Sequence, residues 1–150
     1  MEHAEEMVRV LADPRLYEFI GGSAPSLDEL RARYARQVRG PGRSDEVWLN
    51  WVVRECPDGR AVGYVQVTLT VQAAEWVADL AWVVDPTHQG KGIASDAATG
   101  AVLHLRECGI TALTAHIADS NAASVAVATR VGLRATDELD SDGERIYRAP

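Results

Sequence analysis

One hundred and fifty residues, 47% apolar and 25% charged, make a single globular domain over 1–150 and exclude a disordered, fibrous or multi-domain chain. Fifteen Lys and Arg against 22 Asp and Glu leave a net charge of −7, which argues against a DNA-wrapping protein and fits cationic or neutral partners. No apolar run approaches the roughly 18–20 residues of a membrane span, and the start MEHAEEMVRV is acidic where a leader would be basic. The expected protein is soluble and cytoplasmic, with no membrane partner. Cys56 and Cys108 stand in no ligand or disulfide pattern and read as reduced, partly buried thiols, with no metal site.

The first forty residues read as helix. A short amphipathic piece from Ala4 to Leu11 stops at Asp13-Pro14, where proline restricts the residue before it. Ser26 and Glu29 form a capping box for a second helix. In it Leu27, Leu30, Tyr34 and Val38 recur at helical spacing until Gly40-Pro41-Gly42. Its opposite face, with Arg31, Arg33, Arg36 and Arg39, reads as solvated. From Val47 the period becomes two. Val47–Val53 and Ala61–Val71 are strand-like, joined by turn residues Pro57-Asp58-Gly59, and a third strand covers Trp76–Val84. A helix from about Gly90 to Cys108 carries Ala94, Ala98, Ala101, Val102 and Leu105 on one face, with Gly109 as its stop. A fourth strand, Leu113–Ile117, leads through Asp119-Ser120-Asn121 into a short helix ending at Gly132. Leu133–Leu139 and Arg145–Arg148 then form a hairpin around Asp142-Gly143. The fold class is mixed α/β, mostly antiparallel, with one parallel strand–helix–strand crossover.

The informative segment runs from Trp82 to Ser95, where a strand passes through a glycine-containing turn into a helix. The first helical N–H groups have no partner within the helix, and the helix dipole adds roughly half a positive charge, so the turn suits an anion. Gly90 and Gly92 let a phosphate approach the backbone, and Lys91 is the one lysine among fifteen basic residues. A Walker A loop fails at both ends, because Gly92 follows Lys91 and Asp85 stands where the first glycine belongs. A dinucleotide fingerprint would need glycine at Ser95.

Gln89-Gly90-Lys91-Gly92-Ile93-Ala94 instead resembles the Q/R-x-x-G-x-G/A pyrophosphate loop of the GNAT superfamily of N-acetyltransferases. Ala78–Pro86 is similar to that family's fourth strand, and Asn121-Ala122-Ala123-Ser124 with Val131-Gly132-Leu133 to its N-x-x-S…G-F segment. Leu16–Gly21 and Ala61–Val65 resemble the branch of ribosomal-protein N-terminal acetyltransferases, and the resemblance covers nearly the whole chain.

That resemblance implies acetyl-CoA as cosubstrate and an amine acceptor, either a protein N-terminus or a small molecule, with direct transfer in a ternary complex. The pantetheine would pair with the backbone of Trp82, Val83 and Val84, and the pyrophosphate would lie on Gln89, Gly90, Lys91, Gly92, Ile93 and Ala94, with Asn121 alongside. Asp79 stands where the branch has Glu and is the candidate base, acting through water; it reads also as a strand-end carboxylate in a structural hydrogen bond. Many members use a Tyr in the short helix as acid. Ala128 stands there in this chain, so Ser124 becomes the candidate donor to the leaving thiolate, or a simple helix-terminal hydroxyl.

His88 is expected in an exposed loop, while His116 opposes Ala115 and Ile117 and either lines the acceptor cleft or is structural. Trp48, Trp51, Trp76 and Trp82 are expected in the core and cleft wall. The acidic hairpin, with Asp137, Glu138, Asp140, Asp142 and Glu144, would attract a cationic acceptor or simply be solvated. Family members open with a strand ahead of the first helix, whereas this chain opens in the helix. The usual first strand is thus expected to be absent, leaving a Val47–Val53 edge across which the chain pairs as a homodimer. The alternative function is a catalytically weak acyl-CoA-binding or regulatory module.

Overall fold

The change from helical to two-residue periodicity near residue 46 divides the protein into its layers. The computed structural model describes residues 3–150; Met1 and Glu2 of the acidic start lie outside them. First come α1 (Ala4–Val10), a 3-10 turn at Pro14–Leu16, α2 (Tyr17–Ile20) and α3 (Leu27–Arg39). The strands β1 (Glu46–Glu55), β2 (Arg60–Gln72) and β3 (Glu75–Val84) follow as a meander. After a 3-10 turn at Pro86–His88 the chain continues through α4 (Ile93–Glu107), β4 (Ala112–Ile117), α5 (Ala122–Arg130), β5 (Arg134–Leu139) and β6 (Arg145–Arg148). Among the described residues the strands form one sheet in the order β1-β2-β3-β4-β6-β5. Every neighbouring pair is antiparallel except β3 with β4, which the α4 crossover joins in parallel. β1 is an edge, with β2 as its one partner.

Strand alternation sends the sheet's apolar side chains to two cores. On one face Val67, Leu69, Ala78 and Leu80 pack with Ala98, Val102 and Leu105 of α4 and with Val127 and Ala128 of α5. On the other face Ala61 and Val83 pack under Met7, Val10, Leu16 and Leu30. Complete burial of Met7 and Leu30 contributes about 1.5–3 kcal/mol each. The capping box forms as expected: Glu29 N–H donates to Ser26 Oγ at 3.3 Å, and Ser26 N–H donates to Glu29 Oε2 at 2.7 Å. Glu6 fastens α1 to the sheet by accepting from Ala61 N–H at 2.7 Å and from Arg54 at 2.8 Å.

Some expectations need correction. Val38, placed on the buried face of α3, is 80% exposed, at the penultimate position of the helix. Both cysteines are exposed free thiols rather than partly buried ones; Cys56 sits in the β1–β2 turn and Cys108 at the end of α4. α4 begins at Ile93, not Gly90, since Gly90 and Gly92 hold left-handed backbone (φ +76° and +84°) that a right-handed helix cannot contain. Trp76, expected in the core or cleft wall, is 37% exposed, next to the turn that joins β2 to β3.

Two glycines carry opposite expectations. A Cβ at Gly63 would run into the Val83 carbonyl oxygen of β3, whereas one at Gly100 in α4 meets nothing within 4 Å. Gly63→Ala is expected to destabilise the fold by about 1–3 kcal/mol through overpacking. Gly100→Ala is expected to stabilise it by about 0.5–1 kcal/mol through helix propensity. Chemical denaturation of the two variants reads both signs, and a stabilising Gly63→Ala would contradict the packing described.

Candidate active site

The parallel ladder between β3 and β4 is short: Val77, Ala78 and Asp79 face Ala112, Leu113 and Thr114. Beyond Asp79, β3 continues to Val84 paired with β2, while β4 continues to Ile117 paired with β6. The two strands therefore diverge as a fork. A cleft of about 710 Å³ fills it, walled by Leu80, Ala81 and Trp82 on one side and by His116, Ile117, Asn121 and Ser124 on the other. Glu18, Phe19 and Ile20 of α2 and Asp142 to Glu144 of the last hairpin close its rim.

Asp85 N–H donates to Val62 O of β2 at 2.8 Å. Successive residues of a strand turn their backbone groups to opposite edges, so Val83 faces β2 whereas Leu80, Trp82 and Val84 face the fork. Two of the three residues expected to offer backbone to a ligand are thus on the open edge. Val83 is not, and its side chain lies buried under α1. Gln89 Nε2 donates to Val84 O at 2.8 Å, which fixes the start of the glycine loop to the end of the open edge.

In that loop an added Cβ at Gly90 or Gly92 would meet open space; glycine is required by the left-handed backbone and leaves room for a ligand. Asp96 N–H bonds Gly92 O at 3.0 Å, so α4 opens directly from the loop. Lys91 lies 3.7 Å from Glu55, an exposed pair worth little. His88, expected in an exposed loop, keeps only 20% of its side-chain surface: Nε2 lies 3.4 Å from Glu55 and Nδ1 2.9 Å from Thr87 Oγ1. It braces the loop against the end of β1. Strand edge, glycine loop and helix N-terminus lead from the fork in one path, an arrangement that fits an extended ligand ending in a pyrophosphate. Among the described residues no His, Cys, Asp and Glu side chains gather as a metal-holding group.

The floor of the fork is acidic. Thr114 Oγ1 donates to Asp79 Oδ1 at 3.1 Å, and His116 Nε2 lies 3.8 Å from the same oxygen. His116 Nδ1 lies 2.7 Å from Asp140 Oδ2, while Asp140 Oδ1 accepts the N–H groups of Asp142 and Glu144 at 2.9 Å each. Although solvent reaches 49% of its side-chain surface, Asp79 is crowded enough that burial pushes its pKa above the ordinary aspartate value, against the lowering pull of His116 and Thr114. Burial, with Asp140 nearby, likewise raises Glu144. Asp140 is lowered, chiefly by its bond to His116.

Asn121 Oδ1 accepts Ser124 N–H at 3.1 Å, so Asn121 caps α5 and lines the cleft at once. Ser124 lines it from the first turn of α5, and Ala128 is wholly buried in the core. Sequence reasoning singled out His116 and the acidic hairpin without joining them. The join rests on β4–β6 register, which sets His116 opposite Ile146 and so brings the hairpin turn alongside. A second cavity, about 380 Å³, lies under α3 against Trp48 and Tyr64. It shares no residue with the fork and has no glycine loop.

A raised folded-state pKa means that the folded protein holds the Asp79 proton more tightly than the unfolded chain does. The cost of the carboxylate is absent below its unfolded pKa and appears as pH rises through the folded one. Asp79→Asn is therefore expected to raise Tm at pH 7, with the gain vanishing toward about pH 3. An unchanged Tm at pH 7 would contradict the crowding described.

The family model described as an acetyltransferase (GNAT) domain matches residues 1–134. The fold is similar to a GNAT-family acetyltransferase from Bacillus anthracis, with TM-score 0.72 and 18% identity over 98% of this chain and 87% of that one. It is similar to aminoglycoside acetyltransferase AAC(6')-Ib in complex with coenzyme A, at 0.74 and 17% over 98% and 88%. For spermidine N-acetyltransferase from Vibrio cholerae in complex with CoA and spermine, the values are 0.73 and 16% over 98% and 88%. At these identities the likeness is one of fold. No curated protein matches the chain. The family model, which spans all but the last hairpin, agrees with the open edge and glycine loop already found in the fork: the chain belongs to the GNAT acetyltransferase domain family.

Proposed function

We propose that the protein moves an acetyl group from acetyl-CoA to a primary amine by direct transfer in a ternary complex. The observation that carries the reading is the fork itself: the β3–β4 ladder ends at Asp79 and Thr114, the cleft beyond it is lined by Leu80, Ala81, Trp82, Asn121 and Ser124, and Gln89 ties the start of the glycine loop to the end of the same strand. In this reading the N–H groups from Gln89 to Ala94 hold the pyrophosphate, with Lys91 released from Glu55 to add charge. The open backbone of Trp82 and Val84 receives the pantetheine amides, with Val83 anchoring that stretch in the core and Asn121 touching the cofactor from across the fork. When bound, acetyl-CoA supplies a thioester carbonyl. Ser124, which lines the cleft from the first turn of α5, is the donor we assign to the departing sulfur.

An acceptor amine must lose a proton before it attacks. At pH 7.4 an α-amino group with pKa near 8 is about a fifth neutral, and a lysine-like amine near 10.4 about one part in a thousand. Asp79 receives the ammonium at the floor, and the proton leaves by a water-relayed path. Glu18, Asp142 and Glu144 around the rim support a cationic acceptor. A small polyamine or aminoglycoside and a protein N-terminal amine both meet that requirement. The resemblance to the ribosomal-protein branch speaks for the N-terminus; the fold neighbours solved with spermine and with ribostamycin speak for small amines.

Thiol release over spermine, an aminoglycoside and short peptides with free N-termini tests the reading, alongside CoA binding by calorimetry. Turnover of at least one acceptor is expected. Asn and Asp both tolerate left-handed backbone, so comparing Gly92→Asp with Gly92→Asn isolates charge beside the pyrophosphate. Like charges repel by about 4 kcal/mol at 4 Å near a protein surface, and the Asp variant is expected to bind CoA at least about tenfold more weakly than the Asn variant. Equal affinities would remove the pyrophosphate from this loop. Tight binding of CoA without turnover of any acceptor would favour an acyl-CoA-binding module.

A further inference from the structure

The His116–Asp140 contact has the form of an oriented base rather than of a surface ion pair. Asp140 has 16% of its side-chain surface exposed, and both its oxygens are engaged as acceptors: Oδ1 by two backbone N–H groups, Oδ2 by the ring of His116. An ionised carboxylate offers only acceptors, so at 2.7 Å the bond requires the proton to sit on Nδ1. In the neutral ring Nε2 then carries the lone pair. That atom faces the fork, 3.8 Å from Asp79 Oδ1, on the same side of the sheet as Asp79 and Thr114. The ring keeps 34% of its side-chain surface in the cleft.

We propose that Nε2 of His116 is the base that takes the proton from the acceptor amine, with Asp140 as the positioning residue that fixes the tautomer. The assignment rests on the transferase reading above. Even a raised carboxyl is a weak base toward an ammonium, whereas imidazole changes charge near neutral pH, where a general base works best. Asp79 binds the ammonium and the relaying water, and its carboxylate then lies on one side of the imidazolium with that of Asp140 on the other. The carboxylates grouped with the ring are Asp79 of β3 and Asp140, Asp142 and Glu144 of the hairpin, with Glu18 of α2 lining the same cleft, while Arg148 of β6, on the same face opposite Thr114, is held by Glu138. The nitrogen loses two protons on becoming an amide. One passes to Nε2 and then to solvent; the other ends on sulfur as the C–N bond forms and the C–S bond breaks.

The test uses the whole chain and whichever acceptor of the panel turns over fastest. His116→Ala is expected to lower kcat by about 10²–10⁴ without changing CoA affinity, and added imidazole is expected to restore rate in proportion to its free-base fraction. Asp140→Asn should lower kcat and flatten the pH profile. The tautomer is read in the unaltered protein from long-range ¹H–¹⁵N spectra, with His116→Gln for assignment, so a variant that fails to fold does not block the answer. When the ring carries a single proton, that proton is expected on Nδ1. A neutral ring protonated on Nε2, or turnover by His116→Ala within about threefold of the parent, overturns the base assignment and leaves the transferase reading intact. Absence of turnover by the parent with every acceptor overturns both.

Discussion

β3 cannot be fully paired on both sides, and the rest of the site follows from that constraint. Its outer side is committed to β2 as far as Val84, through an approach so close that Gly63 has room for no Cβ. β4 is committed to β6 from Thr114 onward. The parallel ladder between them therefore ends at Asp79 and Thr114, and the backbone edge of Leu80, Trp82 and Val84 is left without a strand partner, the Val84 carbonyl being taken by the Gln89 side chain. Buried backbone groups almost always find a partner. Placing three such residues along a solvent-filled fork makes an edge to which an extended, amide-bearing ligand can add as a further strand.

The cleft and the glycine loop that follows β3 differ in charge. At one end the opening turn of α4 and its two glycines present N–H groups and the positive end of a helix. At the other lie Asp79, Asp140, Glu144 and Glu18. In the proposed reading a donor with a phosphate at one end and a reacting group at the other would be oriented by that difference, and a cationic acceptor drawn to the far end. The net charge of −7 is thus a poor guide to the loop and a fair one to the floor. Most surface ion pairs, such as Arg31 with Glu5 or Arg148 with Glu138, play no part in this and contribute little to stability.

Local chemistry made much of the molecule readable in advance. Ser26 and Glu29 announce α3, the β2 alternation announces its two faces, and Gly90-Lys91-Gly92 announces the loop, because each signal acts within a few residues. Features formed by register were not readable. The two-residue turn at Ala73 and Ala74 (φ +49° and +70°) has neither Asn nor Gly to mark it. The fork exists only because two strands choose different partners. Asp140 meets His116 across 24 residues of sequence, a contact that no local pattern contains. Val83 looked equivalent to its neighbours until the direction of the Asp85 hydrogen bond showed which edge each residue faces.

The central claim is that the open edge of β3 and the glycine loop together hold the acyl donor. Residue-resolved amide hydrogen exchange, with and without acetyl-CoA, measures that directly. The account predicts slowed exchange at Trp82, at Val84 and from Gly90 to Ala94, with Val83, already bonded toward β2, unchanged. Protection absent from Trp82 and Val84, or concentrated under α3 around Trp48 and Tyr64, would contradict it.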